Sequence, residues 1–533
     1  MHWADFTATR LAERGQSHII STGITPSGEF HIGHLRESLT GDMLTRAARK
    51  AGLDAEMIFI VDTADPLRKV YEFLDDDYEQ WVGHPIGAIP APNDNGKPSG
   101  DGTYGDYFLA PFIEALRQIG VTPRLVDNYQ AYVDGRFNEA IRIFIERQEE
   151  TKEIIERVSG RELAEDWFPF NPVGSDGTMD GVVVTGHNWP LIQWRDSHGV
   201  EGQSDLSQTG VFHGKLPWRL DWPAKWAWLK VTCEPFGKDH GAAGGSYDTG
   251  KELCELLGFE PPHPLTYEWI QLKGMGAMSS SSGLTIGPLT ALQLVPPESL
   301  RYLIARSKTN RHIEFDTGDA LIELADEYER LIARTANEGD VPPPDLKRRQ
   351  LVAWEVDRAQ IRLSQIVDGS QPDVTSTSVP FRHLAMLAQI RDRDEDVVTS
   401  LCASGHLSED EVPTTLYMRL AKMRAWIASK HFPEGVRLRI QTTPSPQAQQ
   451  NIDSEMAGYL QALAKELEDC EWTGSAISDA ICDLANAREI GLRQAFVILY
   501  WLVLDQHYGP KMANLLAELP RNEVISLLNS SIA

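Results

Sequence analysis

Residues Ser21–His34 read STGITPSGEFHIGH, a glycine-punctuated loop that delivers two histidines to the mouth of a helix. Upstream, His18–Gly23 has the composition of a short buried strand. Downstream, Leu35, Leu39, Met43, Leu44, Ala47, Ala48 and Ala51 recur at helical spacing, and Ala55–Val61 (AEMIFIV) supplies a second strand. Strand, loop, helix and strand in this order predict the first half of a Rossmann-like α/β domain. Gly33 lets a phosphate approach the backbone at the helix N-terminus, where unpaired N–H groups and the helix dipole favour anions. His31 and His34 add donors for charge developing on an α-phosphate, so the motif matches nucleotidyl transfer. Two histidines at a helix start can also be caps and nothing more.

A second segment, Met275–Gly283 (MGAMSSSSG), is a small-residue loop after an expected strand at Leu265–Leu272. Alone, a Ser/Gly run is ordinary linker composition. Taken with the histidines, it resembles the HIGH and KMSKS signatures of class I aminoacyl-tRNA synthetases, with HIGH literal at His31–His34. Between the two stand GKLPWRLDWPAKW at Gly214–Trp226 and EPFGKDHGAAGGSYD at Glu234–Asp248. With ITPSG at Ile24–Gly28, DPLRKVY at Asp65–Tyr71 and PPESLRYLIARSK at Pro296–Lys308, this text is similar to class I lysyl-tRNA synthetases. VSGREL at Val158–Leu163 and GPKMANLLAEL at Gly509–Leu519 extend the similarity over most of the chain.

The resemblance implies ATP-dependent activation of L-lysine to lysyl-adenylate and transfer to tRNA(Lys), the reaction of a lysine–tRNA ligase, with ATP and Mg²⁺. It implies phosphate chemistry at His31, Gly33 and His34, and ATP contacts from Pro26, Ser27, Gly28, His31, His34, Asp239, Met278, Ser279, Ser280 and Ser281. For lysine it implies Gly23, Thr25, Trp218, His240 and Tyr267. A pocket for a side chain ending in an ammonium needs apolar walls and an acceptor at the far end. Glu37, one helical turn past His34, is the expected acidic partner, against the reading of a plain helix-surface glutamate. Among the tryptophans, Trp226 and Trp228 read as core. Ala277 and Ser282 stand where the family places lysines that neutralise the triphosphate, with Lys273 a nearby substitute. That departure leaves two other functions open: a paralogue that ligates lysine or an analogue to a small molecule, and a catalytically weakened tRNA-binding regulator.

A chain of 533 residues holds about three or four domains, each with a sizeable core. The net charge of −27 excludes a diffuse nucleic-acid coat. A local basic face can still hold tRNA; the two candidates are Arg301, Arg306, Lys308 and Arg311, and Lys347, Arg348 and Arg349, each against the reading of a solvated helix face. Five scattered cysteines without a CxxC pair, no signal-peptide pattern and no long apolar run indicate a cytoplasmic enzyme with reduced thiols and no membrane partner.

The expected organisation is a Rossmann-like catalytic domain in two halves (1–75 and 214–289), an inserted acceptor-end-binding region (76–213), a stem-contact-type helical domain (290–344) and an α-helical anticodon-binding domain (345–533). Asp75–Gly105 breaks the hydrophobic periodicity, and Phe168–Val211 turns into short β-like runs. In the resembled family this insertion carries cysteine-ligated zinc. Here it contains no cysteine, and His187, His198 and His213 fit no standard ligand spacing, so no structural zinc is expected. Beyond Leu289 helical patterns dominate, with breaks at Val341–Asp345 and Thr442–Gln447. Trp472 and Trp501 are the tempting base-stacking residues there; the apolar neighbours of Trp501 make it a core residue instead.

Overall fold

The computed structural model describes all of the chain except residues 273–275, 278–285, 337–340, 409, 411 and 533, and only the backbone of residues 100, 272, 276 and 277. Two compact units are present. The first comprises Met1–Leu292, Pro297–Phe315 and Asp340–Gln371, and the second Gln293–Pro296, Asp316–Gly339 and Pro372–Ala533.

The first unit is built on five parallel strands: β1 (Ser17–Ile24), β2 (Asp54–Val61), β3 (Arg124–Asp127), β4 (Val231–Gly237) and β5 (His263–Tyr267). Their spatial order is β5-β4-β1-β2-β3. Ile20, Ile58, Phe59 and Ile60 are buried, as expected of strands covered on both faces. The helix α1 (Leu35–Lys50) connects β1 to β2, and Gly41 lets it lie close to the sheet. A Cβ at that position would stand 2.7 Å from the Thr22 methyl. The chain builds outward from β1 to β2 and β3, then returns on the other side of β1 as β4 and β5. This reversal opens a crevice at the carboxyl ends of β1 and β4.

Two boundaries differ from expectation. The strand β3, which follows the helix α2 (Tyr104–Gln118), lies within 76–213, yet it pairs with β2 in the central sheet. β3 is a four-residue edge strand with only Val126 buried, too short and too polar to show a strand pattern. The strand expected at Leu265–Leu272 ends at Tyr267. Beyond it the backbone bonds elsewhere: Glu268 N–H donates to Thr309 O, and Ile270–Leu272 pairs with Ile313–Phe315 in a separate small sheet. The remaining excursion contains an antiparallel sheet of Val183–Asn188, Leu191–Arg195 and Glu201–Asp205.

The proline break at Val341–Asp345 does not end the first unit. The helix α4 (Arg348–Ser364) packs in it against α3 (Pro297–Ala305). Arginines fasten these helices. Arg301, expected on a tRNA-facing surface, is fully buried. It donates to Leu363 O at 2.9 Å, Ile119 O at 3.0 Å and Asp42 Oδ2 at 2.5 Å. Arg46 donates to the carbonyls of Gln365, Gly120 and Ile366 at 2.6, 2.7 and 3.0 Å, and pairs with Asp42 at 2.9 Å. Arg306, Lys308 and Arg311 are exposed, as are Lys347, Arg348 and Arg349.

Among its described residues the second unit is helical, with long helices such as Asp319–Thr335, Thr414–Ala428 and Ser454–Asp469. Trp426 is fully buried and donates to Thr317 O at 2.9 Å. Trp472 and Trp501 are both half-buried, so Trp501 is not the full core residue its neighbours predict. No described helix is long and apolar enough to cross a membrane.

Candidate functional site

A cavity of about 530 Å³ opens at the switch point of the sheet. Its walls bring together Gly23, Thr25, His31, Gly33, His34, Glu37, Trp218, Asp239, His240 and Tyr267, ten positions singled out in the sequence. Pro26, Ser27 and Gly28 lie in the loop behind it, where the Tyr104 hydroxyl donates to Ser27 O at 2.8 Å. Met278, Ser279, Ser280 and Ser281, together with Lys273 and Ser282, lie outside the described residues.

The two histidines cap each other's backbone. His31 Nδ1 accepts from Gly33 N–H at 3.1 Å, and His34 Nδ1 accepts from His31 N–H at 3.0 Å. Acceptance at Nδ1 places the ring hydrogen on Nε2 in both rings. Ile32 N–H donates to Ile286 O at 2.9 Å and His34 N–H to His31 O at 3.0 Å. The unpaired N–H groups expected around Gly33 are therefore already bonded, and the donors left for an anion are the two imidazole Nε2–H groups. Burial lowers His31 to about 4. Burial, then the neighbouring His31, lowers His34 to about 3. Both rings are neutral at pH 7.

Across the cavity, Glu37 is not a surface glutamate. Its carboxyl accepts from Gly23 N–H and from the Tyr267 hydroxyl, each at 2.7 Å. Burial raises it to about 7, against the opposing effect of those two donors. Gly23 is required where it is: a Cβ there would stand 2.9 Å from Ile60 O. Trp218, 39 % exposed, stacks on His240 with ring centres 5.4 Å apart, forming an aromatic wall at the rim.

A charge network that the motifs do not signal reaches from the cavity wall, where Asp62 and Lys225 line it, into the core. Lys225, on the helix α-segment Trp218–Leu229, pairs with Asp62 at the end of β2 and with Asp221 at 2.6 Å. Tyr132 donates to Asp221 at 2.5 Å, and Lys215 pairs with Asp65 at 2.5 Å, which also accepts from Thr25 at 2.8 Å. Thr25 thus turns its hydroxyl to the network. Glu234, also in the cavity wall, accepts from the indoles of Trp222 at 2.8 Å and Trp226. A glutamate inside the otherwise apolar strand VTCEPF was the sequence signal for it. In the insertion, the three histidines have separate surroundings. His187 packs on Phe168, His198 lies 3.4 Å from Asp176 and His213 bonds to Gln208 O.

A switch-point cavity with two self-capped histidines at the first helix defines a nucleotide-using catalytic domain of the doubly wound class. Residues 1–358 match the family described as tRNA synthetases class I (K), and residues 430–532 match an anticodon binding domain. The chain belongs to that class I tRNA synthetase family. It is 36 % identical over 532 residues to a lysine–tRNA ligase of Thermoplasma volcanium, covering 99 % of each chain. A lysine–tRNA ligase of Picrophilus torridus is 34 % identical over 535 residues, covering 100 % of this chain and 99 % of the relative. One from Archaeoglobus fulgidus is 36 % identical over 517 residues, 96 % of each.

Proposed function

We propose that the chain is a lysine–tRNA ligase working in the cytoplasm. The observation that carries the proposal is the pairing, in one cavity wall, of neutral imidazole donors with a half-buried carboxyl, Glu37, that has no ion-pair partner among the described residues. The similarity to lysine–tRNA ligases along the full chain supports it.

In this reading the methylenes of lysine lie along Trp218 and His240, and its ammonium pairs with Glu37. ATP arrives as its Mg²⁺ complex. The lysine carboxylate attacks the α-phosphorus; an oxygen–phosphorus bond forms and the bond to pyrophosphate breaks. His31 and His34 donate from Nε2 to the phosphate oxygens as charge builds, with no protein nucleophile. Asp239, exposed at the rim, faces the sugar of the nucleotide. A terminal hydroxyl of tRNA(Lys) then attacks the carbonyl of the mixed anhydride and AMP leaves. The match of residues 430–532 to an anticodon binding domain favours tRNA over a small-molecule acceptor.

Lysine-dependent charging of purified tRNA tests the reading directly. Pyrophosphate exchange, with tRNA present, should favour lysine over arginine, glutamate and ornithine. A competitor that outperforms lysine by more than about tenfold, roughly 1.4 kcal/mol of transition-state preference, makes the lysine assignment wrong.

A further inference from the structure

We propose that Glu234 is a second carboxylate of the amino-acid pocket, sharing the side-chain ammonium of lysine with Glu37. The proposal rests on the lysine reading above and adds a specificity-determining residue to it.

Glu234 lies in β4 between Cys233 and Phe236, both buried, and is itself only 6 % exposed. A carboxyl in such a place needs partners. Its two oxygens accept from the indoles of Trp222 and Trp226, one helical turn apart. Indole N–H groups occupy lone pairs but bring no positive charge. Lys225 stands between those tryptophans in sequence, yet its ammonium is taken up by Asp62 and Asp221.

Four other buried or half-buried acids near the sheet are treated differently. Asp42 has Arg46 and Arg301, Asp65 has Lys215, and Asp62 and Asp221 have Lys225. Asp196, buried in the insertion, accepts from the N–H groups of Ser175, His198 and Val200 and from the Ser175 hydroxyl, but it does not line the cavity. Glu37 and Glu234 are hydrogen-bonded by neutral donors alone, and both line the cavity. Burial chiefly raises Glu234 to about 8; the two indole donors oppose the rise, the charge of Glu37 adds to it, and the charge of Lys225 opposes it. Two unneutralised carboxyls facing one cavity call for a single cation between them. An alkylammonium has three N–H donors, one for each carboxyl and one for the Tyr267 hydroxyl oxygen, whose own hydrogen goes to Glu37.

The test compares lysine with norleucine, which has a methyl group in place of the aminomethyl end, in pyrophosphate exchange by the full-length enzyme with tRNA present. Glu234→Gln keeps the volume and removes the charge. The expected result is a fall of at least about tenfold in the preference for lysine over norleucine, carried by the KM for lysine with kcat little changed. Equal losses for both amino acids, or an unchanged preference, would mean that Glu234 only braces the tryptophans, and would overturn the proposal. Glu234→Asp serves if the Gln variant does not fold. It keeps the charge but retracts it by one methylene, so preference should move from lysine toward homolysine by a few-fold; no movement overturns the proposal. If the unaltered enzyme does not prefer lysine to norleucine, the lysine reading itself fails, an outcome distinct from a failure of Glu234 alone.

Discussion

The arginine clamp around Asp42 and the acidic end of the cavity both withdraw carboxyls from water, yet they are finished in opposite ways. At the clamp, one carboxylate serves two guanidiniums, and five backbone carbonyls take further donors. At the cavity, Glu37 and Glu234 hold only neutral donors and lack a cation. The saturated charge fastens helices; in the proposed reading the cation-free pair keeps a place for the ammonium of lysine. Charge type and burial alone do not separate structure from function here, but the state of each donor and acceptor does.

The comparison predicts opposite responses to substitution. Arg301→Ala should be the most damaging change, costing about 3–5 kcal/mol, because it leaves two buried carbonyls without their donor and Asp42 with Arg46 as its remaining cation. Denaturant unfolding reads the loss, and the folded fraction should keep its KM for lysine. A loss below about 1 kcal/mol would show that water or Arg46 replaces the clamp, erasing the contrast.

His34→Ala should lower the rate of lysine activation by roughly 10² to 10³, the scale of one lost transition-state donor, with lysine affinity nearly unchanged. A rise in KM with unaltered turnover would move His34 from the phosphate side of the cavity to the amino-acid side. Its stability cost should be near 1 kcal/mol, because the ring also caps His31 N–H.

Glu37→Gln should raise the KM for lysine by roughly 10- to 100-fold, in keeping with a lost hydrogen bond to a charged group. It should also stabilise the free protein, which no clamp substitution does. Burial raises Glu37 from 4.5 to about 7, so the folded chain holds a proton there that the unfolded chain has released. Its contribution to stability therefore falls as pH climbs from about 4.5 to 7 and then stays level. The advantage of the Gln variant in melting temperature should widen over that interval; a constant difference would show that Glu37 is ionised throughout.

The same shift governs binding. With Glu37 at about 7 and Glu234 at about 8, kcat/KM for lysine should rise several-fold from pH 6 to 8 as the carboxyls ionise. The histidines, at about 4 and 3, should add no limb near 6.5. The smallest effect is expected on the surface. Reversing charge at Lys347, Arg348 and Arg349 should reduce the salt slope of tRNA binding by up to about three units if all three touch phosphate, and leave ATP binding alone. An unchanged slope would make them a solvated face.

The strand-loop-helix-strand core was legible because its signals are local: the apolar run of β1, the helical spacing in α1 and the run of β2 each lie within one window. β3 was not, since an edge strand with one buried residue carries no periodicity. The cavity was legible where a motif fixed the spacing, as at His31, His34 and Glu37. Arg301 was misread because exposed basic residues follow its helix in sequence, while its partner Asp42 lies 259 positions away. Glu234 stood in a quoted motif without a role, because only the folded chain reveals that its donors are uncharged. The bonded N–H groups at Gly33 were equally invisible, since a histidine does not announce which nitrogen faces its own backbone.

The network at the cavity wall also sets an order of assembly. Asp62 leaves the ribosome 163 residues before Lys225, and Asp65 leaves 150 before Lys215. β1 and β2 can pair as soon as they emerge, but β1 must wait for its other neighbour, β4. Throughout that interval the two aspartates have no ammonium to meet and remain hydrated, which holds the centre of the half-made sheet open to water. A truncation product ending before Lys215 should therefore be cut by proteases faster than the full chain, a difference that limited proteolysis reads.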